Sequence, residues 1–298
     1  MSQIKIGTLI EASKSESVIP QISVHGFETF SITFWKTVGD MDVKELGKKL
    51  LDYLVPRDIK VSSLSIFSNP LGKTGAAEDA IRSWELLIDN AEYFCTDLVT
   101  GFTGRIEDQP IDKCIPEYKA VFSELAKRAS SKGIRLAFEN CSMNGNWKKG
   151  SWNIAHDPSA WELMFDAIPD ENIGLQWEPC HQLVNLIDPI PQLRKWVGRI
   201  FNVHGKDATI AWDIVREYGI NGPKRYAWHR TPGFGDSNWT DIISILKMNG
   251  YSGSIDIEGY HDPVYRGESE LTGQIHALNY LKRCRGGEHV ENPDAWKI

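Results

Sequence analysis

The 298-residue sequence contains no CxxC pair, and its five cysteines are odd in number and scattered along the chain. We interpret this pattern as free thiols in a reducing compartment. No basic region followed by a long apolar core opens the sequence, which predicts that there is no signal peptide. Together these absences indicate a cytoplasmic protein.

Long apolar runs, a basic charge balance and nucleotide-binding glycine motifs are also missing. No stretch approaches about 18 consecutive apolar residues, so we expect no membrane-spanning helix. The formal net charge of −7 argues against a nucleic-acid partner, because such proteins usually carry a basic face. Neither GxGxxG nor a P-loop is present, and these are the motifs that an open doubly wound sheet usually carries.

What the sequence does contain is a regular alternation of short apolar runs and amphipathic segments. We predict eight strands, at residues 4–10, 27–35, 60–67, 93–99, 134–140, 173–178, 200–205 and 253–259. Apolar residues at three- and four-residue spacing predict helices over 42–55 and 117–133. Two further helices begin with Asp-Pro, at Asp157 and Asp188, where aspartate caps the helix and proline suits its first turn.

Eight strand–helix units in under 300 residues predict a single (β/α)8 TIM barrel of the α/β class. No linker or low-complexity tract divides the chain, so we assign residues 1–298 to one domain. Residues 207–238 form a long connection after the seventh strand, and long connections in compact domains are usually functional. A polar tail, 285–298, follows the last predicted helix.

Polar side chains occupy the ends of the last four predicted strands, which is where the active site of a TIM barrel lies. Glu139 ends the fifth strand, Glu178 the sixth, His204 the seventh and Glu258 the eighth. Three unpaired carboxylates together require a cation or protonation. Oxygen ligands with one nitrogen suit a hard divalent ion, and we predict Mn²⁺ ahead of Mg²⁺, Co²⁺ or Zn²⁺.

Each of these residues also has an ordinary structural explanation. A single glutamate at a strand end is usually a salt-bridge partner or a helix cap, and a single histidine is more often a hydrogen-bonded core residue than a ligand. The same polar ending on four consecutive strands favours a site instead. Lys206, two residues after His204, either stabilises a developing oxyanion or pairs with Asp207.

Tryptophan is unusually abundant near the predicted strand ends. Six of the eleven tryptophans lie on or just after such an end, namely Trp147, Trp152, Trp177, Trp212, Trp228 and Trp239. Packing in the core or in a loop explains each of them alone. As a group they predict an apolar wall around the pocket, which would stack on the C–H face of a sugar or hold an aromatic group attached to it.

Five motifs, in this order, resemble those of the xylose isomerase-like TIM barrel superfamily, which includes the sugar phosphate isomerases and epimerases. The motifs are LAFENC, GLQWEPCHQLV, NVHGKD, HRTPGFGDSNW and GSIDIEG. The resemblance covers residues 4–285. It implies that Glu139, Glu178, His204 and Glu258 are metal ligands, and that Glu139 and Glu258 also move the proton.

The resemblance further implies that His181 and Arg230 contact substrate oxygens. Our full set of candidate substrate-binding residues is His181, Lys206, Arg230, Trp177 and Trp147. One position departs from the pattern, because the sixth-strand ligand is usually Asp and this sequence has Glu178. The extra methylene would push the carboxylate inward or make it bidentate, and either change would alter the usual substrate pose.

Residues and resemblance together predict a metal-dependent sugar isomerase or epimerase that transfers a proton next to a carbonyl through an enediolate. The alternative is a lyase or dehydratase acting on a keto-inositol or a 3-keto glycoside, C-glycosides included, by the same first step. An endonuclease for DNA repair is remote, because that branch needs a histidine-rich multi-zinc site and a basic groove.

A non-catalytic sugar-binding barrel is disfavoured, because all four ligand positions keep coordinating side chains. We expect a small keto sugar as the binding partner and neither nucleic acid nor membrane. We also expect a homo-oligomer, or a hetero-complex if the protein is a glycoside lyase.

Overall fold

The computed structural model describes residues 3–72, 75–287 and 290–296, and its central feature is a closed eight-stranded barrel. The barrel strands are β1 (Lys5–Glu11), β2 (Thr29–Thr33), β3 (Lys60–Ile66), β4 (Leu98–Gly101), β5 (Arg135–Glu139), β6 (Ile173–Trp177), β7 (Ile200–Gly205) and β10 (Ser254–Ile257). Their order around the barrel is β1, β10, β7, β6, β5, β4, β3 and β2, and neighbouring strands are parallel. The predicted α/β TIM barrel is therefore confirmed.

Helices surround this barrel, and their buried residues form the main hydrophobic core together with the strands. They are α1 (Ser15–Ile22), α2 (Val43–Leu54), α3 (Gly75–Asn90), α4 (Ile111–Ser130), α5 (Pro158–Ala167), α6 (Pro179–Val184), α7 (Pro189–Trp196), α8 (Trp212–Tyr218), α9 (Trp239–Met248) and α10 (Glu270–Arg285). Short 3₁₀ turns lie at Ala12–Lys14, Ser23–His25, Val55–Arg57, Ala91–Phe94, Val197–Arg199, Gly267–Ser269 and Asp294–Trp296.

The two Asp-Pro helix starts are confirmed. Asp157 accepts a 2.8 Å hydrogen bond from the backbone N–H of Ser159, and Asp188 accepts one of 2.9 Å from Ile190. These bonds satisfy backbone donors that the first turn of a helix leaves free. The capping aspartates therefore fix where α5 and α7 begin, and with them the loops that lead away from β5 and β6.

The fourth strand is the element whose predicted position is most in error. Residues 93–99 were predicted to be extended, whereas β4 covers 98–101. Ala91–Phe94 forms a 3₁₀ turn instead, and it ends at Cys95, which has a left-handed backbone with φ of 49°. Ala91 and Phe94 are both buried in the main core, so tertiary packing holds the apolar residues of this segment in a turn.

Small polar side chains connect the strands inside the barrel. Ser31 on β2 makes hydrogen bonds of 2.8 Å and 3.0 Å with Ser63 and Ser65 on β3, and Ser65 makes one of 2.8 Å with Thr100 on β4. Position 7 on β1 requires glycine, because a Cβ there would come within 2.0 Å of the hydroxyl oxygen of Thr29 on β2. These polar contacts leave the outward side chains of the strands to pack against the helices.

The long connection predicted at 207–238 contains an antiparallel pair of strands outside the barrel, β8 (Asp207–Ile210) and β9 (Ala227–Arg230), with α8 between them. The sequence patterns gave no indication of this pair. Of the predicted tail at 285–298, residues 288, 289, 297 and 298 lie outside the described residues. None of the helices described is both long enough and apolar enough to cross a bilayer.

Candidate active site and metal centre

Four polar side chains meet at the carboxyl ends of four adjacent barrel strands. Glu139 is the last residue of β5, Glu178 follows β6, His204 lies near the end of β7, and Glu258 follows β10. Because β5, β6, β7 and β10 are neighbours in the barrel, these side chains converge on one point. One potential ligand atom from each residue lies within 4.8 Å of the other three.

His204 lies between the three carboxylates. Its Nδ1 atom is 3.2 Å from Oε2 of Glu258, 3.5 Å from Oε1 of Glu139 and 4.0 Å from Oε2 of Glu178. His204 and Glu178 are fully buried, and Glu139 and Glu258 are almost so. Water therefore contributes little to stabilising the charges of this group.

The polar atoms of this group fit a bound cation. Both carboxylate oxygens of Glu178, Oε2 of Glu258 and both ring nitrogens of His204 are buried and make no hydrogen bond within the described chain. His181 Nε2 comes within 2.7 Å of Oε1 of Glu178, but without the geometry of a hydrogen bond. Buried polar atoms without partners are costly, and a divalent ion bound by oxygens of the three glutamates and by one ring nitrogen of His204 would satisfy most of them.

The pKa values of these four residues reflect their burial and the close approach of their charges. Burial raises the pKa of Glu178 to about 8 and also raises the pKa of Glu139, with the neighbouring carboxylates adding to the effect. Burial opposes a charge on His204, but Glu139 and Glu258 raise its pKa to about 10. The raised pKa values of Glu139 and Glu178 mean that the three carboxylates do not all ionise together without additional positive charge, which a bound cation would supply.

Lys206 pairs with Glu258, and the pairing with Asp207 that we considered from the sequence is wrong. The Nζ atom of Lys206 donates a 2.6 Å hydrogen bond to Oε1 of Glu258. Burial alone would raise the pKa of Glu258, yet Lys206 and His204 hold it well below its usual range. Asp207 instead accepts hydrogen bonds from the backbone N–H groups of Ala208 and Ser237 and from Nε1 of Trp239, which ties the long connection to the barrel.

A cavity of about 710 Å³ opens above these side chains. Of the residues predicted to form the site, Glu139, Glu258, His181 and Lys206 line this cavity. Glu178 and His204 lie behind them, fully buried. The two glutamates that face the cavity are thus the two that we expected to move a proton.

Three of the predicted substrate-binding residues are not among the described residues that line the cavity. Trp177 is buried in the core, where its Nε1 atom donates a 3.1 Å hydrogen bond to Gln192. Trp147 packs at the edge of the same core. The Nε atom of Arg230 on β9 donates a 3.3 Å hydrogen bond to Asp262, which lies in the loop after β10.

The predicted tryptophan wall is mostly wrong in its members, and other aromatic residues take their place. Trp152 lines the cavity, whereas Trp239 is buried, Trp212 is exposed, and Trp228 lies on β9 beside Arg225. Residues that line the cavity and that we did not predict include Trp35, Phe67, Phe102, Tyr260 and His229. Trp35 and Phe67 end the second and third predicted strands, so applying the strand-end rule to the first half of the chain would have found them.

Arg105 holds the loop that forms one side of the cavity. Its guanidinium group is fully buried and donates four hydrogen bonds of 2.6–3.0 Å to backbone carbonyls, two of them to Gln109 and one each to Asn146 and Trp147. Residues 141–144 and Trp152, at either end of this loop, line the cavity. Arg105 therefore fixes the shape of the cavity without lining it.

Comparisons with curated proteins give relatives that match part of the chain. The uncharacterized protein YfiH of Bacillus subtilis is 28% identical over 177 residues, covering 56% of this chain and 52% of that protein. An inosose dehydratase of Clostridium perfringens is 24% identical over 166 residues, covering 54% of this chain and 51% of that protein. The chain thus spans about half the length of these relatives.

Solved structures and a family profile match nearly the whole chain. The 3-keto-D-glucoside 4-epimerase YcjR from E. coli has a TM-score of 0.71 at 13% identity, covering 95% of this chain and 100% of that chain. D-allulose 3-epimerase from Methylomonas sp. has a TM-score of 0.67 at 17% identity, covering 95% and 99%. The profile of the xylose isomerase-like TIM barrels matches residues 19–284. This chain belongs to the xylose isomerase-like TIM barrel family.

Proposed function

We propose that this protein is a divalent-metal-dependent isomerase or epimerase that moves a proton next to the carbonyl of a keto sugar. The observation that carries the proposal is the group of Glu139, Glu178, His204 and Glu258 at the base of an open cavity. Their buried and unpartnered polar atoms fit a hard divalent cation, with Mn²⁺ as our first choice.

Each side chain of the site has a separate task in this proposal. A bound divalent cation would supply the Lewis acid that makes the carbon beside the carbonyl more acidic. Glu139 and Glu258, which face the cavity, remove that proton and return a proton to the product. Glu178 and His204, buried behind them, contribute ligand atoms and stay out of reach of the sugar.

Two further cavity residues are suited to bind the polar groups of the substrate. Lys206 uses one of its three donors on Glu258, and no other hydrogen bond of its Nζ atom is found within the described residues, which leaves donors for a substrate oxygen at which charge develops. His181 lines the cavity, and burial lowers its pKa to about 3, which keeps the imidazole neutral. A neutral imidazole both donates and accepts a hydrogen bond, as binding of a hydroxyl group requires.

A dehydratase or lyase is the second candidate, and it is favoured by the inosose dehydratases among the relatives. It would begin with the same proton abstraction by Glu139 or Glu258. A leaving group on the adjacent carbon would then depart with its bonding electrons before any proton returns. The two candidates therefore share the site and differ only in their products.

The proposal is tested by incubating Mn²⁺-loaded protein with a panel of keto sugars and separating the products by liquid chromatography with mass detection. We expect conversion of at least one sugar into another of equal mass. Glu139→Gln and Glu258→Gln should each reduce this rate by a factor of about a hundred or more, because an amide does not accept the proton. Glu16→Gln, in an exposed pair with Lys49, is the matched control. Undiminished turnover by both site variants would contradict the proposal.

A further inference from the structure

One side of the cavity is built from aromatic side chains that belong to no catalytic group. Trp35, Phe67, Phe102, Trp152 and Tyr260 line it, and we call this surface the aromatic wall. Ring centroids are 5.9 Å apart for Trp35 and Phe67, 5.4 Å for Trp35 and Tyr260, and 5.0 Å for Phe67 and Phe102. Four of the five side chains of the wall thus form a continuous surface of contacting rings.

The aromatic wall is separate from the core that holds the fold together. Phe67, Phe102 and Cys141 form a small hydrophobic cluster of their own, and Trp152 packs against it. Trp35 remains 39% exposed. Apolar side chains that line a cavity outside the main core are typical of a ligand-binding surface.

Trp35 also has an unfavourable backbone conformation. Its φ is 54°, in the left-handed region that bulky side chains rarely adopt. Its carbonyl oxygen accepts a 2.6 Å hydrogen bond from the backbone N–H of Phe67, which holds Trp35 in place two residues after the end of β2. Strain of this kind concentrates at ligand-binding sites, and here it presents the indole to the cavity.

The aromatic wall begins directly beside the proposed metal ligands. The rings of Phe67 and His204 are 6.4 Å apart, centroid to centroid. A substrate with its reacting carbons at Glu139 and Glu258 would therefore place a neighbouring substituent against the wall. The ring faces of the wall offer few hydrogen-bond partners to the hydroxyl groups of an unsubstituted sugar, whereas an aromatic substituent would replace water with ring contacts.

Resting on the proposed function, we infer that the substrate is a glycoside-type keto sugar with an aromatic aglycone, and that the aromatic wall is the aglycone subsite. The sugar ring lies toward Lys206 and His181, and the aglycone lies against Trp35 and Phe67. The aromatic wall thus determines specificity, and the reacting groups remain those named above.

Binding of two probes by isothermal titration calorimetry, in buffer with Mn²⁺, tests this inference. We expect phenyl β-D-glucopyranoside to bind about tenfold more tightly than methyl β-D-glucopyranoside. Trp35→Ala and Trp152→Ala should each remove most of this preference, and Trp35→Phe should keep most of it because a ring remains. Trp212→Ala, which removes an exposed tryptophan outside the cavity, should leave the preference unchanged.

Equal affinity for the two glucosides, or no binding of either, would overturn the aglycone subsite. The same holds if the phenyl preference survives in both Trp35→Ala and Trp152→Ala proteins that melt like the wild type. These outcomes are distinct from failure of the proposed function, which is decided by turnover of unsubstituted keto sugars. If the protein converts unsubstituted keto sugars but binds both glucosides equally, only the aglycone subsite is contradicted and the proposed function is retained.

Discussion

The Nζ atom of Lys206 donates a 2.6 Å hydrogen bond to Oε1 of Glu258 in the wall of the cavity, and both side chains are buried. The two oxygens of the Glu258 carboxylate therefore have different neighbours. Oε1 accepts the hydrogen bond from the ammonium group, and Oε2 faces His204. Glu258 stays ionised at neutral pH as a result, and the positive charge of Lys206 has its counterion.

This pairing predicts that Lys206 and Glu258 are energetically coupled. Glu258→Gln leaves a buried ammonium group without a counterion, so the free energy of unfolding should fall by about 3–5 kcal/mol in the absence of metal. Adding Lys206→Met to that variant removes the unpaired charge and should restore much of the loss. Urea unfolding of the wild type, both single variants and the double variant measures the coupling. Strictly additive single effects would contradict it.

A second prediction concerns metal content. Wild-type protein dialysed against Mn²⁺ should retain one equivalent by elemental analysis, and its melting temperature should rise with Mn²⁺ concentration because the ion binds the folded state. His204→Ala should lose both properties, whereas His25→Ala, at an exposed position, should keep them. Retention of a full equivalent by His204→Ala would remove His204 from the ligand set.

Isotope incorporation separates the two candidate reactions. An isomerase or epimerase run in D₂O returns a deuteron to the reacting carbon, because its carboxylates exchange their protons with water between turnovers. Mass spectrometry of the recovered product should therefore show one added mass unit and an equilibrium of two sugars. Release of water or an aglycone, without any mass-neutral conversion of a keto sugar, would identify the lyase instead.

The contact between α10 and β1 predicts a pH-dependent contribution to stability. Nη1 of Arg285 donates a 2.6 Å hydrogen bond to Glu28, and the N–H of Ile6 donates one of 2.8 Å to the same oxygen. Burial raises the pKa of Glu28, but Arg285 and Ile6 together bring it below the usual value. Because the folded pKa is lower than the unfolded value of about 4.3, this contribution is present at neutral pH and is lost as the pH falls through the folded pKa.

Glu28→Gln should therefore lower the melting temperature at pH 7 and have a smaller effect at pH 3. Calorimetric melting of both proteins across this range measures the difference. Glu16→Gln serves as the control, because its exposed pair with Lys49 should contribute little at any pH. An equal loss from Glu28→Gln at both pH values would contradict an ionic contribution.

The sequence was sufficient to locate the group of four polar side chains at the candidate site. Eight apolar runs at regular spacing predicted the barrel, and the strand-end rule then identified Glu139, Glu178, His204 and Glu258, which the structure brings together. This worked because the carboxyl ends of parallel strands share one rim, so position along the chain determines position in space. We did not apply this rule to the second and third strands, where it would also have identified Trp35 and Phe67.

The sequence did not determine which side chains face the cavity. Trp177 directly precedes Glu178, a proposed metal ligand, yet points into the core, because successive side chains on a strand face opposite sides of the barrel. Local patterns also could not reveal that Lys206 pairs with a residue 52 positions away, or that Arg105 holds a loop some 40 positions further along. Those contacts join segments that are distant in sequence, so packing of the closed barrel alone decides them. Local sequence thus determined the strands and the polar groups at their ends, and the tertiary structure determined the shape, the aromatic lining and the ion pairs of the cavity.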